Sequence, residues 1–526
     1  MNSIFQKANK RISLGSAATL LAATSFLGIF LGVVRTKLIN ANFNVFASDA
    51  YFAAFKIPDL IFFTLASGAI AVAFMPILSE RLRQSKQSAW EVSSYMLNFI
   101  GIVALVSSVL LMILARPIMN LLVGGADGFS PEQLDLSVSI MRIVSVNIFV
   151  FAISTILSTI QHAVGRFFFS AIAPLFYNLS IIASIFVFRD NYGIVGLSLG
   201  VAIGSILQLL VVGLGMVGLK FRYSPTINFK NKSFREALSL MPPRAIDQGI
   251  DSINAIVETK FASTLGTGSI SWYENALILH NAPVMLIGNA ISTAAFPRLT
   301  ERLAQGRVDL FRKEFIYVLR IMIWIALPVV IVAFFGRAYL ARIIFARSSA
   351  EIALIFGFLT IAILFRVLYT LISRYFYAYK DTKTPLYVSL FVIALNIILA
   401  YYLSRPEAYG VVGLALAQGI VAATEVMILV AIMIKRDPLL FSGDFIQVLT
   451  RMLAISGFTA FTAFIMVQYF PLSLSDTGLL LTVKLALITA VAFGVHTIMS
   501  YIFDLQEAKI VVNKARRVAL GMVKVT

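Results

Sequence analysis

The 526-residue chain contains no cysteine and only three histidines, His162, His280 and His496. Without a thiol there is no disulfide, no thiolate metal site and no cysteine nucleophile. Three histidines so widely scattered offer no metal-ligand set. Charge is scarce too: Asp, Glu, Lys and Arg together make up 13% of the residues, against roughly 25% in a soluble domain. A larger core cannot absorb that deficit, because a water-facing surface would still demand polar cover. The apolar runs are joined by short connections, which leaves no soluble domain to hold a nucleotide. There is no P-loop, no H-E-x-x-H and no nucleophile elbow. An ATP-driven pump is therefore disfavoured, and no catalytic residue, metal ligand or cofactor is expected.

What is present is apolar. Hydrophobic residues make up 59% of the chain, with a mean hydropathy of +0.90. The reading is an all-α polytopic membrane protein. At about 20 apolar residues per crossing, about fourteen spans are predicted: 15–39, 50–78, 89–115, 136–161, 168–188, 193–218, 235–262, 269–297, 313–335, 351–379, 385–403, 410–434, 446–470 and 477–503. Lys7, Lys10 and Arg11 precede the first stretch as they would in a signal peptide, but that stretch is too long for a cleaved segment and reads as helix 1.

The formal charge of +18 would suggest nucleic acid in a soluble protein, yet its placement points elsewhere. With the N-terminus inside, the inner loops and tail hold most of the Lys and Arg, including Arg81, Arg83, Lys230, Lys232, Arg302 and Lys380. This is the positive-inside bias of a protein with both ends cytoplasmic, its basic loops facing an anionic leaflet. The loop 336–350, with Arg337, Arg342 and Arg347, is the one poor fit.

An internal repeat is legible. Pro76-Ile-Leu-Ser-Glu-Arg-Leu-Arg-Gln84 closes helix 2, and Pro297-Arg-Leu-Thr-Glu-Arg-Leu-Ala-Gln305 closes helix 8. Tyr192-Gly-Ile-Val-Gly-Leu-Ser-Leu199 opens helix 6, and Tyr409-Gly-Val-Val-Gly-Leu-Ala-Leu416 opens helix 12, at nearly the same offset along the chain. Units of six helices enter the membrane in the same sense, so a parallel pseudo-two-fold repeat is predicted, with a site between lobes. The expected divisions are an N-terminal lobe 1–219, a C-terminal lobe 220–436, helices 13 and 14 over 437–505 and a basic cytoplasmic tail 506–526.

Helix 7 carries the strongest functional signal. Arg244, Asp247, Asp251, Asn254 and Glu258 recur at spacings of 3, 4, 3 and 4, which places all five on one helical face. A charge at the bilayer centre costs roughly 2.5–3.5 kcal/mol, so this stripe must line a wet cavity or form an ion-pair seam with neighbouring helices. Arg35 and Lys37 fit a snorkelling position at the outer interface. Lys56 and Arg142 are flanked by apolar residues within spans, and buried cations of this kind suit an anionic headgroup such as a diphosphate. Glu274, Arg366, Glu425 and Lys484 are further charges within spans. Pro58 and Pro283, in helices 2 and 8, are hinge candidates. Gly213-Leu-Gly215-Met-Val-Gly218 matches G-x-G-x-x-G but follows no strand, so close helix packing explains it better than a dinucleotide.

Four stretches, Ser48-Asp-Ala-Tyr-Phe-Ala-Ala-Phe-Lys-Ile-Pro-Asp59, Ser67-Gly-Ala-Ile-Ala-Val-Ala-Phe-Met-Pro76, Ala173-Pro-Leu-Phe-Tyr-Asn-Leu-Ser180 and Arg374-Tyr-Phe-Tyr-Ala-Tyr-Lys-Asp-Thr-Lys-Thr-Pro385, resemble the MurJ/MviN family of lipid II flippases, in the multidrug/oligosaccharidyl-lipid/polysaccharide exporter superfamily. The resemblance implies two six-helix lobes around a cationic cavity, and a lipid-tail groove on helices 13 and 14. The implied activity is outward movement of undecaprenyl-diphosphate-linked lipid II by alternating access, without ATP, in a bacterial cytoplasmic membrane. The family's L-G-x-x-R motif falls on Leu31, Gly32 and Arg35, its acid on Asp49 and its helix 2 lysine on Lys56. Departures are Ile29, Thr36, Phe62 or Phe63, and Tyr273-Glu-Asn-Ala-Leu277, where the family usually has charged residues. Arg244 is a candidate to compensate.

The expected substrate-binding set is thus Arg35, Asp49, Lys56, Arg142, Arg244, Asp247, Asp251 and Glu258. The expected partners are lipid II, membrane lipids and a monovalent cation, with no nucleic acid, and the chain is expected to act as a monomer. Alternatives are an exporter of another polyprenyl-linked glycan and a cation-coupled drug antiporter of the same superfamily.

Overall fold

The computed structural model describes residues 14–441 and 443–509, without the side chains of 14, 15, 18, 66–73, 242–248, 250 and 251. Helices form where apolar runs end on capping residues. Asn44 accepts from the Ala47 amide, Ser130 from Gln133 ahead of Pro131, Asn231 from Phe234 and Thr477 from Leu480. Each side-chain oxygen satisfies one of the orphan N–H groups of a first turn. Large side chains such as Phe26, Ile113, Phe186 and Phe461 stand more than half exposed, a surface that only lipid solvates.

Among the described residues, eleven helices are long and apolar enough to cross a membrane. One of these is α8 (Phe168–Leu214), in which Gly193 adopts φ 54°, ψ −138° and so joins two helices. Two further stretches are helical but more charged: the run Val45–Gln84 and α9 (Lys232–Ser263). These segments accommodate the spans read from the sequence.

The chain divides into two compact units, Met1–Ser271 and Trp272–Thr526. In the first, α1 (Leu14–Asn42) packs on α8, and α2 (Val45–Phe62) packs on α6 (Pro131–Val144). α3 (Gly68–Gln84) packs on α4 (Lys86–Ile113), α7 (Val146–Ala163) and α9, and α5 (Ala115–Val123) links α4 to α6. This grouping places α9 with α2 and α3 by packing, whereas the repeat assigns the same helix to the second lobe by pseudo-symmetry.

The two halves of α8 lie against each other because small residues let their backbones approach. A Cβ on Gly200 would meet Ser184 Oγ at 2.0 Å, and one on Gly204 would meet the Tyr177 carbonyl at 3.0 Å. This is the small-xxx-small contact of membrane helices. Gly215 of the G-x-G-x-x-G stretch has the same role: a Cβ there would overlap Gln161 Oε1 at 1.9 Å.

In the second unit, α11 (Ala290–Ala304), α12 (Val308–Phe335) and α14 (Ser349–Ala378) form one group, α10 (Ser269–Pro283) meets α14 where His280 Nδ1 lies 3.2 Å from the Leu359 carbonyl, and α14 also packs on α16 (Val411–Arg436) beside α15 (Lys383–Leu403). The final hairpin, α17 (Gly443–Tyr469) and α18 (Gly478–Ile502), packs on α12 and on the short α13 (Arg337–Ile344). Trp324 Nε1 donates to Ser500 Oγ at 2.9 Å, and Thr459 Oγ1 pairs with His496 Nδ1 at 3.0 Å. Such polar contacts hold helices together where lipid supplies no hydrophobic drive.

The same hairpin engages one arginine of the loop 336–350. Arg342 donates to the Ser473 and Leu474 carbonyls, each at 2.6 Å, and the Tyr339 hydroxyl donates to the Phe470 carbonyl. Arg337 lies 4.7 Å over the Phe334 ring, in space left by Gly357, where a Cβ would stand 2.8 Å from Arg337 Cδ. Arg342 is thus committed to stapling the loop between α17 and α18, and Arg337 to the end of α12. Lys484 belongs to this corner rather than to mid-helix: its ammonium bonds Asp476 at 2.8 Å and the Pro471 carbonyl at 2.9 Å.

The repeat read from the sequence recurs in backbone conformation. A π-helical turn, Phe63–Ser67, interrupts helix 2 and another, Val284–Asn289, interrupts helix 8. Phe63 and Val284 stand at the same offset as Pro76 and Pro297 of the first motif echo. Gly193 and Gly410 sit at the offset of the second echo, each directly after its tyrosine, and share φ/ψ values of 54°/−138° and 55°/−137°. That region is open to glycine alone.

Candidate functional site

Helix 2 of the first unit is broken by its own sequence. Pro58 lacks an N–H, and the π-turn starts five residues later. Such turns widen the helix, leave carbonyls unpaired and concentrate at functional sites. α9 approaches this break closely: a Cβ on Gly249 would meet Thr64 Oγ1 at 3.2 Å and Leu60 Cδ1 at 3.9 Å. At about 100° per residue, Asn254 and Glu258 lie about 140–180° around the helix from Gly249. The polar stripe and the packing face of α9 are therefore opposite sides of one helix.

Of that stripe, Asn254 and Glu258 are described. Glu258 is buried and its Oε1 accepts from Asn254 Nδ2 at 3.0 Å, the i, i+4 contact that the spacing predicts. The side chains of Arg244, Asp247 and Asp251 lie outside the described residues, while the α9 helix itself runs through those positions.

Arg35, on α1, donates from Nη1 to Asn178 Oδ1 at 3.1 Å, and its Nε is buried with no acceptor among the described residues. Tyr51 and Tyr177 lie within its electrostatic reach. The guanidinium is held by a neutral amide, and α1, α2 and α8 together bring it beside two tyrosines. Lys56 is half-buried on α2.

Asp49 has a different place. It is 1% exposed and accepts from the Gly268 amide at 2.5 Å and the Ser271 amide at 2.7 Å. It thereby satisfies the first N–H groups of α10, an anion at a positive helix end. It is an anchor for the loop after α9 rather than a charge presented to a cavity. Arg142 also stands apart: its side chain is exposed and donates through Nε to the Met112 carbonyl at 3.3 Å, at the C-terminal end of α4.

Along the sequence Arg366 and Glu425 are separate charges within spans, and the structure joins them. Arg366 Nη1 reaches Glu425 Oε2 at 3.1 Å, Arg366 Nη2 reaches Gln418 Oε1 at 3.3 Å, and Ser389 Oγ donates to Glu425 Oε1 at 2.8 Å. Three helices, α14, α15 and α16, are tied by one buried network. Partners so far apart in the chain leave no local signal. Only the cost of leaving either charge alone in lipid could have suggested that they pair.

The MurJ family model, described as lipid II flippase MurJ, matches residues 42–503. A probable lipid II flippase MurJ of Borreliella burgdorferi is 25% identical over 428 residues, covering 79% of this chain and 83% of that protein. One of Thermotoga maritima is 26% identical, covering 75% and 80%. A solved lipid II flippase MurJ in an inward closed conformation matches with TM-score 0.76 and 25% identity, over 92% of this chain and 98% of that one. An inward-facing multidrug MATE transporter shares the fold at TM-score 0.66 and 15% identity, over 83% and 98%. With a family model covering nearly the whole helical region, this multi-pass membrane protein belongs to the MurJ lipid II flippase family.

Proposed function

We propose that the chain moves lipid II, the undecaprenyl-diphosphate-linked peptidoglycan precursor, from the inner to the outer leaflet of a bacterial cytoplasmic membrane by alternating access. The observation that carries the reading is the family match across residues 42–503. Intramembrane charge and two matched helix breaks are what that activity needs. An anionic diphosphate crossing lipid requires cations inside the membrane, and alternating access requires helices that can bend.

In this reading both termini are cytoplasmic and the protein acts as a monomer. Residues 1–219 and 220–436 form the two lobes, 437–505 the tail groove and 506–526 a basic tail. Arg35, Lys56, Arg244, Asp247, Asp251 and Glu258 face the cargo's path, with Asp49 fixing the loop that closes it. A monovalent cation or the membrane potential supplies the drive, at about 2.3 kcal/mol per charge per 100 mV. A second reading, export of another polyprenyl-diphosphate glycan, is favoured by Ile29 and by Phe62 or Phe63, which stand where the family usually has arginine.

The test is exposure of lipid II at the outer face of cells depleted of their own flippase and supplied with this chain. Restored exposure is expected, and Arg244→Ala is expected to abolish it. Unchanged exposure on depletion and resupply removes lipid II as cargo, and full growth with Arg244→Ala removes that residue's role.

A further inference from the structure

A second cavity lies at the end of the first unit where α5 leads into α6 and α9 ends. It measures about 660 Å³, inside the roughly 300–1,000 Å³ range of small-ligand sites. Its chemistry is unlike that of the helix 7 stripe. Among the described residues, no carboxylate lines it. Uncharged hydrogen-bonding groups share the lining with apolar surface instead: the amides of Asn120 and Gln133 and the hydroxyls of Ser263 and Thr267, with Phe129 as an apolar wall and Arg116 as the single cation among the described lining residues. Arg116 spends one bond on Asp135 at 2.8 Å, of the five donors a guanidinium has.

The cup is preformed. Its wall at residues 124–128 is closed by the Phe129 amide on the Val123 carbonyl at 2.8 Å and tied to α9 by Lys260 Nζ on the Gly124 carbonyl at 3.0 Å. Glycine is required there: a Cβ would lie 2.3 Å from Asn120 Oδ1 at Gly124 and 2.2 Å from the Val123 carbonyl at Gly128. From below, Gln133 Nε2 is fixed on the Phe46 carbonyl at 2.9 Å.

A cation site would need acids, and a diphosphate site would need several cations. Amides and hydroxyls beside one aromatic face and one guanidinium suit a polyhydroxylated, amide-rich ligand bearing a carboxylate. We infer that this cup receives the glycopeptide head of the cargo on the release side of the membrane. The inference rests on the flippase reading and its orientation, in which the ends of α5 and α9 face outward. It adds a site for the head, distinct from the cations that meet the diphosphate.

The experiment titrates the water-soluble disaccharide–pentapeptide, without diphosphate or lipid, into the full chain in nanodiscs, beside the outer-face exposure assay. Saturable binding is expected. Thr267→Trp, at an exposed rim position, should fill the cup and weaken binding about tenfold or more, the change that roughly 1.4 kcal/mol produces. Arg116→Gln, a milder change, should weaken binding selectively for the peptide bearing a free carboxylate over its amide. Thermal unfolding identifies any variant that has lost its fold. Binding unaffected by both variants places the head elsewhere and overturns the cup, as does absent binding in a protein that restores exposure. Binding sensitive to both variants in a protein that restores no exposure supports the glycopeptide site while the flippase reading fails.

Discussion

The corner after helix 4 and the corner after helix 10 are the same backbone device with opposite charges. In the first, the Arg166 amide bonds the Gln161 carbonyl and the Gly165 amide bonds that of His162. In the second, the Asp381 amide bonds the Phe376 carbonyl and the Lys380 amide bonds that of Tyr377. Both are Schellman turns with a positive φ, 80° at Gly165 and 60° at Lys380. The first corner then reaches the end of helix 6, where the Arg166 guanidinium donates to the Gly215 and Val217 carbonyls. The second reaches the end of helix 12, where the Asp381 carboxylate accepts from Arg436 at 2.6 Å. The repeat has kept its backbone geometry while the side chains that close it exchanged sign. Charge within the spans diverges in the same way: Glu425, buried and paired in the second half, falls on Gln208 at the offset that relates Gly410 to Gly193.

Three experiments press on this comparison. The largest effect is expected from Glu425→Ala, which strands Arg366 in the membrane interior; breaking such a pair costs about 3 kcal/mol, read as thermal or denaturant unfolding in detergent. Gln208→Ala should cost far less, and equal losses would mean that the two halves handle this position alike. Next are Gly193→Ala and Gly410→Ala, each expected to cost about 2 kcal/mol because alanine is forced into a glycine-only region. A large inequality between them would break the equivalence of the two turns.

The smallest effect is a pH dependence at Asp381. Partial burial pushes its carboxyl up, but hydrogen bonds from the Thr384 hydroxyl and amide and the Arg436 guanidinium outweigh that and hold it at about 2. With the folded value below the ordinary 3.8, its stabilisation is complete above that pH and is lost as pH falls through about 2. The stability gap between the native chain and Asp381→Asn should therefore close over that window, and a gap that stays constant would rule out an ionised Asp381 as its source. The first corner is closed by a guanidinium, a group that stays charged throughout, and should show no such dependence.

Much of this was legible along the chain. The apolar runs located the helices, because lipid forces every backbone group into internal hydrogen bonds. The second motif echo contains the paired glycines, and the π-turns, which the sequence did not announce, recur at the offset of the first. The spacing of Asn254 and Glu258 put them on one helical face, where they are found in contact. Tertiary structure alone decided how the separated charges are used. It turned Asp49 to the amides after α9, left Arg142 exposed beside α4, set Arg35 on Asn178 and joined Arg366 to Glu425. A side chain's charge is written in the sequence, but its partner is chosen by whichever distant helix reaches it first through a medium where no charge can be left alone.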